Sequence, residues 1–277
     1  MFARPLLRSL SRFSSLSTIA APRSFVSLVQ TTPSTVTLTL DNGVANTLSL
    51  EMAEALTGAI KDAESNPDNQ SMVIKSNNQK IFSAGLDIQE MNAPEPVRLA
   101  DFWRAIQGTY IALYGSRLST VAAIEGHAPA GGCLLSLCCD YRIMAQGSAR
   151  IGLNETNLGI AAPYWLMDMY VDSIGKRNAE LALGKGTLFL PDEALAVGLV
   201  DEVVPQDEVL DRATAEAKRW AKIPMKGRVA TKLMQRVANI NELVERQEED
   251  VLWFTTFLLE EGTQRGIKAY LESFKKK

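Results

Sequence analysis

One acidic residue, Glu155, lies in a segment whose composition suits proton transfer. Within residues 151–160 its apolar neighbours are Leu153, Leu158 and Ile160. Apolar surroundings disfavour the charged form of a carboxylate, which raises its pKa and makes it an effective base near neutral pH. The same pattern also fits a loop whose glutamate faces solvent, so this segment alone leaves both interpretations open.

Two short loops that contain glycine are suited to bind a carbonyl oxygen. Residues 81–87 (Ile-Phe-Ser-Ala-Gly-Leu-Asp) follow one predicted strand, and residues 127–133 (His-Ala-Pro-Ala-Gly-Gly-Cys) follow another and open a helix. A helix N-terminus has unpaired N–H groups and the positive end of the helix dipole, so it stabilises a developing oxyanion. Two such loops side by side would offer two backbone donors to one oxygen. Each loop alone also fits an ordinary turn of small residues.

Histidine and cysteine are too scarce for several common kinds of site. The chain has one histidine, His127, and three cysteines, Cys133, Cys138 and Cys139. These do not suffice for a zinc site or a disulfide framework. A Ser-His-Asp triad would have to use His127, and the sequence has no Gly-x-Ser-x-Gly motif to accompany it. We therefore expect buried cysteines in a reducing compartment and no serine-hydrolase triad.

The elements that must position these residues alternate between strands and helices, which favours an α/β fold with short crossovers. Apolar and alternating runs predict strands at residues 36–40, 72–75, 120–124, 141–144 and 199–204. Helical periodicity predicts helices at residues 49–64, where Ser49 is the N-cap, and at 98–114 and 131–139.

The C-terminal part of the sequence is almost wholly helical in pattern. Helices are predicted at residues 209–221, 226–237, 242–259 and 263–274. No low-complexity linker and no fixed-period repeat interrupts the chain. We predict residues 31–205 to form an α/β core and residues 206–277 to form a helical C-terminal region.

The N-terminal segment has the composition of a mitochondrial transit peptide. No acidic residue precedes Asp41, and the basic residues of this segment, which lie among serines, are Arg4, Arg8, Arg12 and Arg23. We predict residues 1–30 to be the transit peptide, with the mature chain beginning between residues 25 and 35. A disordered basic tail is the alternative.

Charge and hydropathy exclude two classes of protein. The net charge is −3, and without the four leader arginines 25 basic and 32 acidic residues remain, a net charge of −7. This balance argues against nucleic-acid binding. No uninterrupted apolar run reaches the ~18 residues that a membrane-spanning helix needs.

Three motifs occur in an order that resembles a known family. They are Phe82-Ser-Ala-Gly-Leu-Asp87, Pro129-Ala-Gly-Gly-Cys133 with Cys139-Asp-Tyr-Arg142, and Gly152-Leu-Asn-Glu-Thr156. These motifs resemble the crotonase (enoyl-CoA hydratase/isomerase) superfamily and, within it, the mitochondrial Δ3,Δ2-enoyl-CoA isomerases. The resemblance covers nearly all of the chain after the leader. It implies a spiral of ββα units, a homotrimer built with the C-terminal helices, and acyl-CoA thioester substrates.

The resemblance also implies roles for individual residues. The two oxyanion donors correspond to the backbone N–H groups of Leu86 and Gly131, and the base corresponds to Glu155. Asn154 is expected beside the acyl group. The segment that holds the CoA arm and thioester corresponds to Ala84, Gly85, Leu86, Asp87 and Ile88. Among these, the Leu86 side chain is expected in the core or the pocket wall, and Asp87 is expected to be structural.

Leu134 favours an isomerase over a hydratase. Hydration of a double bond calls for two acid/base groups, and hydratases that resemble this chain carry glutamate where it has Leu134. A single base at Glu155 can move a proton from C2 to C4, which converts a 3-cis- or 3-trans-enoyl thioester to the trans-2-enoyl form. The resemblance implies that this takes place in the mitochondrial matrix, in β-oxidation of unsaturated fatty acids, with no metal, nucleotide or redox cofactor. An enoyl-CoA hydratase or acyl-CoA hydrolase on the same scaffold is the alternative.

Glu125 departs from the family pattern, which usually has asparagine at this position. As a second carboxylate near the second loop it would reopen hydratase chemistry, but we expect it to serve a strand end or a subunit contact.

Candidate partners for the CoA phosphates are Lys75, Lys80 and the lysines at 275–277. A non-catalytic family member that binds RNA or proteins is a further hypothesis, disfavoured by the net charge and by the presence of Glu155 with both loops.

Overall fold

The computed structural model describes residues 25–275 and confirms the predicted α/β class. A central sheet of six strands has the order β1-β2-β3-β4-β6-β8, and a small second sheet joins β5 to β7. β1 is antiparallel to β2, and every later neighbour in the central sheet is parallel. The strands are β1 Val26–Thr32, β2 Thr35–Leu40, β3 Ser71–Ser76, β4 Ser119–Ile124, β5 Ala128–Pro129, β6 Tyr141–Ala145, β7 Ile151–Gly152 and β8 Glu202–Val204.

Helices connect the parallel strands and follow them. They are α1 Leu50–Ser65, α2 Ile88–Met91, α3 Pro96–Tyr114, α4 Gly131–Cys138, α5 Tyr164–Ile174, α6 Lys176–Lys185, α7 Pro191–Val197, α8 Val209–Ala221, α9 Met225–Glu245, α10 Gln247–Leu259 and α11 Glu261–Lys275. Two 3-10 turns span Glu155–Leu158 and Gln206–Glu208. No helix within residues 25–275 is long and apolar enough to cross a membrane.

The helix ends follow their local sequence. The Ser49 hydroxyl accepts a hydrogen bond from the N–H of Met52, which confirms the predicted N-cap of α1. Pro96 opens α3, where the missing N–H is not needed, and the Glu95 carboxylate caps the next free N–H groups.

The central sheet is covered on both faces. Met72 and Ile74 of β3 belong to the larger core, together with α1 and α3. Val73 faces the opposite way, into a smaller core that contains Ala213 and Ala217 of α8. Because both faces are packed, β3 and β4 are almost entirely buried.

A buried ion network attaches the C-terminal helices to this core. Asp140 accepts hydrogen bonds from Lys232 Nζ at 2.8 Å and lies 2.9 Å from the guanidinium of Arg236, both on α9. Less than a tenth of the Asp140 and Lys232 side chains is exposed. Removing one partner would leave a buried charge unpaired, so this pairing fixes where α9 crosses the core.

The sheet begins earlier than predicted. We expected the first strand at residue 36, but β1 precedes it and pairs Val26 with Leu40. Val26 and Leu28 pack against the core from the sheet edge. The basic, serine-rich composition of the neighbouring leader concealed this short strand. The predicted transit peptide lies mostly outside the described residues and overlaps β1 at residues 26–30.

Several further elements differ from the prediction. The expected break between residues 237 and 242 lies inside α9, because no glycine or proline interrupts the chain there. The last strand spans only Glu202–Val204, since Leu199 and Val200 are buried in the turn after α7. Helices α5, α6 and α7 were not predicted.

Candidate active site

The two glycine loops contact each other closely. Gly85 has a φ of +96°, and a Cβ placed on it would lie 3.0 Å from the backbone nitrogen of Gly131. A Cβ on Gly132 would lie 2.3 Å from the carbonyl oxygen of Ser83. Real Cβ atoms do not approach other atoms as closely as 2.3 Å, and the positive φ of Gly85 strains any other residue, so glycine at these two positions lets the loops meet.

Backbone hydrogen bonds hold the loops in this arrangement. The N–H of Phe82 donates to the carbonyl of His127 at 2.9 Å, which joins the first loop to the second. The N–H of Ala130 donates to the carbonyl of Gly152 at 2.8 Å, which joins the second loop to β7. The chain that leads to Glu155 therefore starts from the same cluster of loops.

Two N–H groups are left free by this bonding. Leu48 binds on both sides of Leu86: its N–H donates to the Gly85 carbonyl at 2.8 Å and its carbonyl accepts from Asp87 at 2.9 Å. Among the described residues neither the N–H of Leu86 nor that of Gly131, the first residue of α4, has an acceptor. The two predicted donors thus lie on touching loops, and neither is used by the described chain.

Ala130 adopts a strained backbone conformation next to one of these donors. Its φ is +48° and its ψ is −116°, and it precedes α4 without a side-chain cap. A non-glycine residue in this region persists only when the surrounding structure over-determines it, which is common at functional sites.

Glu155 begins the 3-10 turn Glu155–Leu158, which we call the Glu155 turn. Its Oε2 is inaccessible to solvent and has no hydrogen-bond partner in the described chain. Burial raises the pKa of Glu155 to about 7. The predicted base is therefore placed among apolar groups rather than in solvent, and about half of it is ionised near neutral pH.

The predicted base and both donor residues line one cavity. Leu86, Gly131 and Glu155 border one part of it, and Leu134 lies among them, 2% exposed. The rest of the wall is apolar and is formed by Trp103, Ile106, Ile160, Ala161, Pro163, Trp165, Leu166 and Phe254. A cavity with one carboxylate, two backbone donors and an apolar extension suits an acyl group with a carbonyl at one end.

Side chains anchor the Glu155 turn to α6. The Thr156 hydroxyl donates to the carbonyl of Leu183 at 2.6 Å, and Asn157 Nδ2 donates to the carbonyl of Gly186 at 2.9 Å. These two bonds fix the turn that carries the carboxylate.

α11 packs against the Glu155 turn and against the end of α2. A Cβ on Gly266 of α11 would lie 3.2 Å from the carbonyl oxygen of Leu158 at the end of the Glu155 turn. Gln264 Nε2 donates to the carbonyl of Met91 at 3.0 Å, and its Oε1 accepts from the N–H of Ala93 at 2.7 Å.

The other residues that were predicted to bind the substrate do not line this cavity. Asp87 caps α2 by accepting from the N–H of Gln89 at 3.0 Å and binds the Thr47 hydroxyl at 3.1 Å, so its role here is structural. Ala84 is exposed, and Ile88 opens α2. Asn154 precedes the Glu155 turn and does not line the cavity, although its Oδ1 is buried without a partner.

Glu125 lies outside this cavity. It follows β4, is 8% exposed, and borders a separate cavity together with Lys75 and Lys80. Burial raises the pKa of Glu125, and the nearby Lys75 opposes this shift. Its place at a strand end agrees with the expectation and gives the cavity of Glu155 no second carboxylate.

The remaining reactive side chains do not form a site. Cys133, Cys138 and Cys139 are free and buried, and burial raises the pKa of all three thiols. Within the described range no three or more histidine, cysteine or acidic side chains form a group that could hold a metal.

Comparison with known proteins agrees with this geometry. The profile of the enoyl-CoA hydratase/isomerase family matches residues 30–277. The chain belongs to this family. Mitochondrial enoyl-CoA delta isomerase 1 of Mus musculus is 45% identical over 86% of this chain and 83% of its own length, and that of Homo sapiens is 43% identical over 84% and 78%. The crystal structure of human mitochondrial delta3-delta2-enoyl-CoA isomerase superposes with a TM-score of 0.89 at 40% identity, covering 91% of this chain and 98% of that one.

Several cavity residues of this family member were not predicted from its sequence. Trp103, Trp165 and Phe254 come from α3, α5 and α10, which are far apart in the chain. Their helical spacing indicates only core positions, so nothing local distinguishes a wall of the cavity from the rest of the core.

Proposed function

We propose that the protein is a Δ3,Δ2-enoyl-CoA isomerase that converts 3-cis- and 3-trans-enoyl-CoA to trans-2-enoyl-CoA. The observation that carries this proposal is the single carboxylate in the cavity, Glu155, with Leu134 at the position of a second one. Two relatives that are 43–45% identical are named enoyl-CoA delta isomerases, which supports the same activity here.

The reaction needs one base and one oxyanion site. Glu155 takes a proton from C2 of the bound thioester, and the electron pair moves onto the thioester oxygen to leave a dienolate that is conjugated with the C3–C4 double bond. The N–H groups of Leu86 and Gly131 donate to its thioester oxygen. Protonated Glu155 then returns the proton to C4, which leaves the double bond between C2 and C3 and regenerates the carboxylate.

The surroundings of Glu155 suit both halves of this reaction. A carboxylate with a pKa of about 7 is ionised often enough to accept the proton and acidic enough to return it near neutral pH. Each oxyanion donor is worth ~3 kcal/mol to the transition state in comparable enzymes. No step requires a metal, a nucleotide or a redox cofactor.

Leu134 and the apolar wall also argue against a hydratase and a hydrolase. An enoyl-CoA hydratase needs a second group to position water, and the buried side chain of Leu134 offers neither an acceptor nor a donor. A hydrolase needs a water held against the thioester carbonyl, which the apolar wall does not provide. The geometry therefore favours the isomerase.

The proposal includes the place where the protein acts. The mouse and human relatives are named mitochondrial, which supports a mitochondrial location, and we place the protein in the matrix, in β-oxidation of unsaturated fatty acids. We propose that the leader is removed close to Phe25, because a cut beyond Val26 would remove part of β1.

We further propose a homotrimer assembled through the C-terminal helices. α9 and α10 carry apolar side chains that a monomer leaves exposed, among them Met234 at 81% and Leu252 at 66%. Such a surface is typical of a subunit interface.

Ultraviolet absorbance tests the function directly, because the product is conjugated with the thioester and the substrate is not. We expect the purified protein to move the double bond of 3-cis- and 3-trans-enoyl-CoAs into conjugation with the thioester. Hydration of trans-2-enoyl-CoA should be slower or absent, and no free CoA should be released. Hydration faster than conjugation would favour the hydratase, and release of CoA would favour the hydrolase.

A further inference from the structure

The first glycine loop, residues 81–87, uses almost all of its own N–H groups. The N–H of Gly85 donates to a side chain, the Ser83 hydroxyl, at 3.2 Å. Within residues 25–275 this leaves one N–H of the loop, that of Leu86, without an acceptor. The other N–H groups of the loop donate to backbone carbonyls and belong to Ile81, Phe82, Ser83, Ala84 and Asp87. The bonding of the rest of the loop therefore selects the oxyanion donor.

The direction of the Leu86 N–H depends on two peptide planes that meet at Gly85. The backbone holds the plane after Gly85, because the Gly85 carbonyl accepts from the N–H of Leu48 at 2.8 Å and the Leu86 N–H lies on the opposite edge of the same trans peptide. The Ser83 hydroxyl holds the plane before Gly85 at its N–H. Gly85 has a φ of +96°, and glycine turns between conformations more easily than any other residue. Both planes must therefore be held for the donor to keep its direction.

The Ser83 hydroxyl is oriented to accept a hydrogen bond from Gly85. Its own proton is directed to the carbonyl of Asn46 at 2.7 Å. Asn46 is fully buried with a φ of +46°; its Nδ2 donates to the Ser76 hydroxyl at 2.7 Å and its Oδ1 accepts from the N–H of Asn42 at 2.7 Å. A hydroxyl has one proton, so once that proton is bound to Asn46 only the lone pairs remain for Gly85.

Ser83 also contacts the second glycine loop. Its N–H donates to the carbonyl of His127 at 3.3 Å, and a Cβ on Gly132 would lie 2.3 Å from its carbonyl oxygen. Ser83 itself is fully buried and does not line the cavity of Glu155. It therefore links the two loops that carry the oxyanion donors without reaching the cavity.

We propose that Ser83 is a positioning residue for the oxyanion site: its hydroxyl holds the peptide before Gly85 and so keeps the Leu86 N–H directed at the thioester oxygen. This proposal rests on the proposed function, because it takes the ligand to be an acyl-CoA. Without the hydroxyl, the N–H of Gly85 loses its acceptor, which is unfavourable in a buried loop and makes the loop rearrange. The rearrangement misdirects the donor and leaves the apolar wall that binds the acyl chain intact.

Ser83→Ala separates turnover from binding of the ground state. We expect kcat for 3-enoyl-CoAs to fall about tenfold to a hundredfold, because the donor contributes most when negative charge develops on the oxygen. The Kd of saturated octanoyl-CoA, measured by calorimetry, should stay within about threefold of the wild type. A Kd that rises as much as kcat falls would show a general loss of binding and overturn the proposal.

The thioester carbonyl gives a direct measure of the oxyanion site. Infrared difference spectra of octanoyl-CoA, labelled with a heavy carbon isotope at the carbonyl, should show the band at a lower frequency when bound to the wild type than when free, because the donors polarise the bond. In Ser83→Ala this displacement should shrink. A serine that only supports the fold would lower Tm and leave the band and kcat unchanged, which would contradict the positioning role.

Ser83→Cys provides a second variant of nearly the same size. A thiol is a weaker acceptor than a hydroxyl, so the band and kcat should lie between those of Ser83→Ala and the wild type. If Ser83→Ala does not fold, Ser83→Cys decides alone, and wild-type values of both quantities in it would overturn the proposal.

Ser116→Ala is the matched control. Ser116 is 1% exposed, and its hydroxyl accepts from the N–H of Leu118 at 3.2 Å and donates to Glu64 Oε1 at 2.6 Å. It repeats the bonding of Ser83 in the turn before β4, and it does not line the cavity of Glu155. Its substitution should lower Tm and leave kcat and the carbonyl band at their wild-type values. Equal changes of kcat and band in Ser116→Ala and Ser83→Ala would refute the specific role of Ser83.

The same measurements distinguish this proposal from the proposed function. A carbonyl band that depends on Ser83, in a protein that does not conjugate 3-enoyl-CoAs, would reject the isomerase and keep the positioning role. Conjugation together with an unchanged band and kcat in Ser83→Ala would keep the isomerase and reject the positioning role.

Discussion

At the scale of single residues, the environment of Glu155 controls both the reactivity of its carboxylate and the free energy that burying this carboxylate costs the folded state. The carboxylate is buried among apolar groups, and Oε2 has no partner in the described chain. A group that must exchange a proton twice in each turnover cannot be held by strong ion pairs, because these would fix one protonation state. The apolar cavity provides this freedom.

Replacing Glu155 with glutamine should remove the proton transfer and little else. Glu155→Gln keeps the shape of the side chain, so the affinity for a saturated acyl-CoA should stay close to wild type, while kcat falls at least ~10²-fold. Steady-state kinetics and calorimetry measure the two quantities. Glu125→Gln is the matched control and should retain kcat, since Glu125 borders another cavity. An inactive Glu125→Gln with an active Glu155→Gln would show that the base is misassigned.

The raised pKa of Glu155 predicts two opposite effects of pH. Catalysis needs the ionised base, so kcat should fall as the pH drops below about 7. Stability changes in the opposite direction, because the raised pKa means that the folded state favours protonated Glu155. The contribution of this group to the free energy of unfolding is therefore complete below its ordinary pKa of about 4.5 and is lost as the pH rises through about 7. In thermal unfolding, the Tm of Glu155→Gln minus that of the wild type should therefore increase as the pH rises from 4 to 8. A constant difference in Tm would contradict the raised pKa.

The donor at Gly131 can be tested by a pair of substitutions. Gly131→Pro deletes the N–H at the first position of α4, where proline is compatible with a helix, and should lower kcat about 10²–10³-fold. A Cβ here would lie 3.0 Å from Leu48 and 3.1 Å from Gly85, so the side chain also crowds the loops. Gly131→Ala introduces this crowding and keeps the N–H. If both variants lose the same activity, crowding rather than the lost donor is responsible.

The residues of the site differ in how far the sequence could indicate them. Leu86 and Gly131 were assigned through the resemblance of two local glycine motifs, and in the structure a Cβ at Gly85 would crowd Gly131 on the facing loop. Trp103 and Asp250 are 147 positions apart and meet only in the folded chain. Their contact depends on how α10 crosses α3, which no local pattern encodes.

At the scale of elements, the Glu155 turn depends on its attachment to α6. Asn157→Ala removes the bond to the Gly186 carbonyl, and the turn should then sample positions that misalign the base. Small misplacements of a catalytic group can cost up to about 10²-fold in rate, and we expect roughly a tenfold fall in kcat. Asn178→Ala is the control, because Asn178 of α6 makes a similar bond to the Ile174 carbonyl at the end of α5, not to the Glu155 turn. Equal losses of kcat in the two variants would argue against a role for the anchor.

Element prediction succeeded where the signal was local. Ser49 gave the start of α1, and the alternation of residues 36–40 gave β2. Short apolar runs gave β3 and β4, since strands buried on both faces are largely apolar. β1 was missed because it is an edge strand, buried on one side only and next to a leader of similar composition. α9 was divided wrongly because its polar stretch near Asn239 resembles a loop, whereas packing against the core keeps it helical.

At the scale of the whole molecule, the exposed apolar faces of α9 and α10 predict the assembly. Met234→Glu combined with Leu252→Glu should dissociate the proposed trimer, because two charges per subunit would be buried at the interface without partners. Light scattering after size-exclusion chromatography measures the mass. Val97→Glu is the control, since Val97 is 67% exposed but lies near the start of α3 rather than on α9 or α10. A trimeric double variant would place the interface elsewhere.

The position of α11 has a consequence for the order in which the protein acquires its properties. Because a chain is synthesised from its amino terminus, the sheet and both loops are complete before the helix that packs on the Glu155 turn and, through Gln264, on Met91. A chain that ends before α11 lacks these contacts. We therefore expect turnover to be the last property to appear during synthesis, and chains that end before α11 to be inactive.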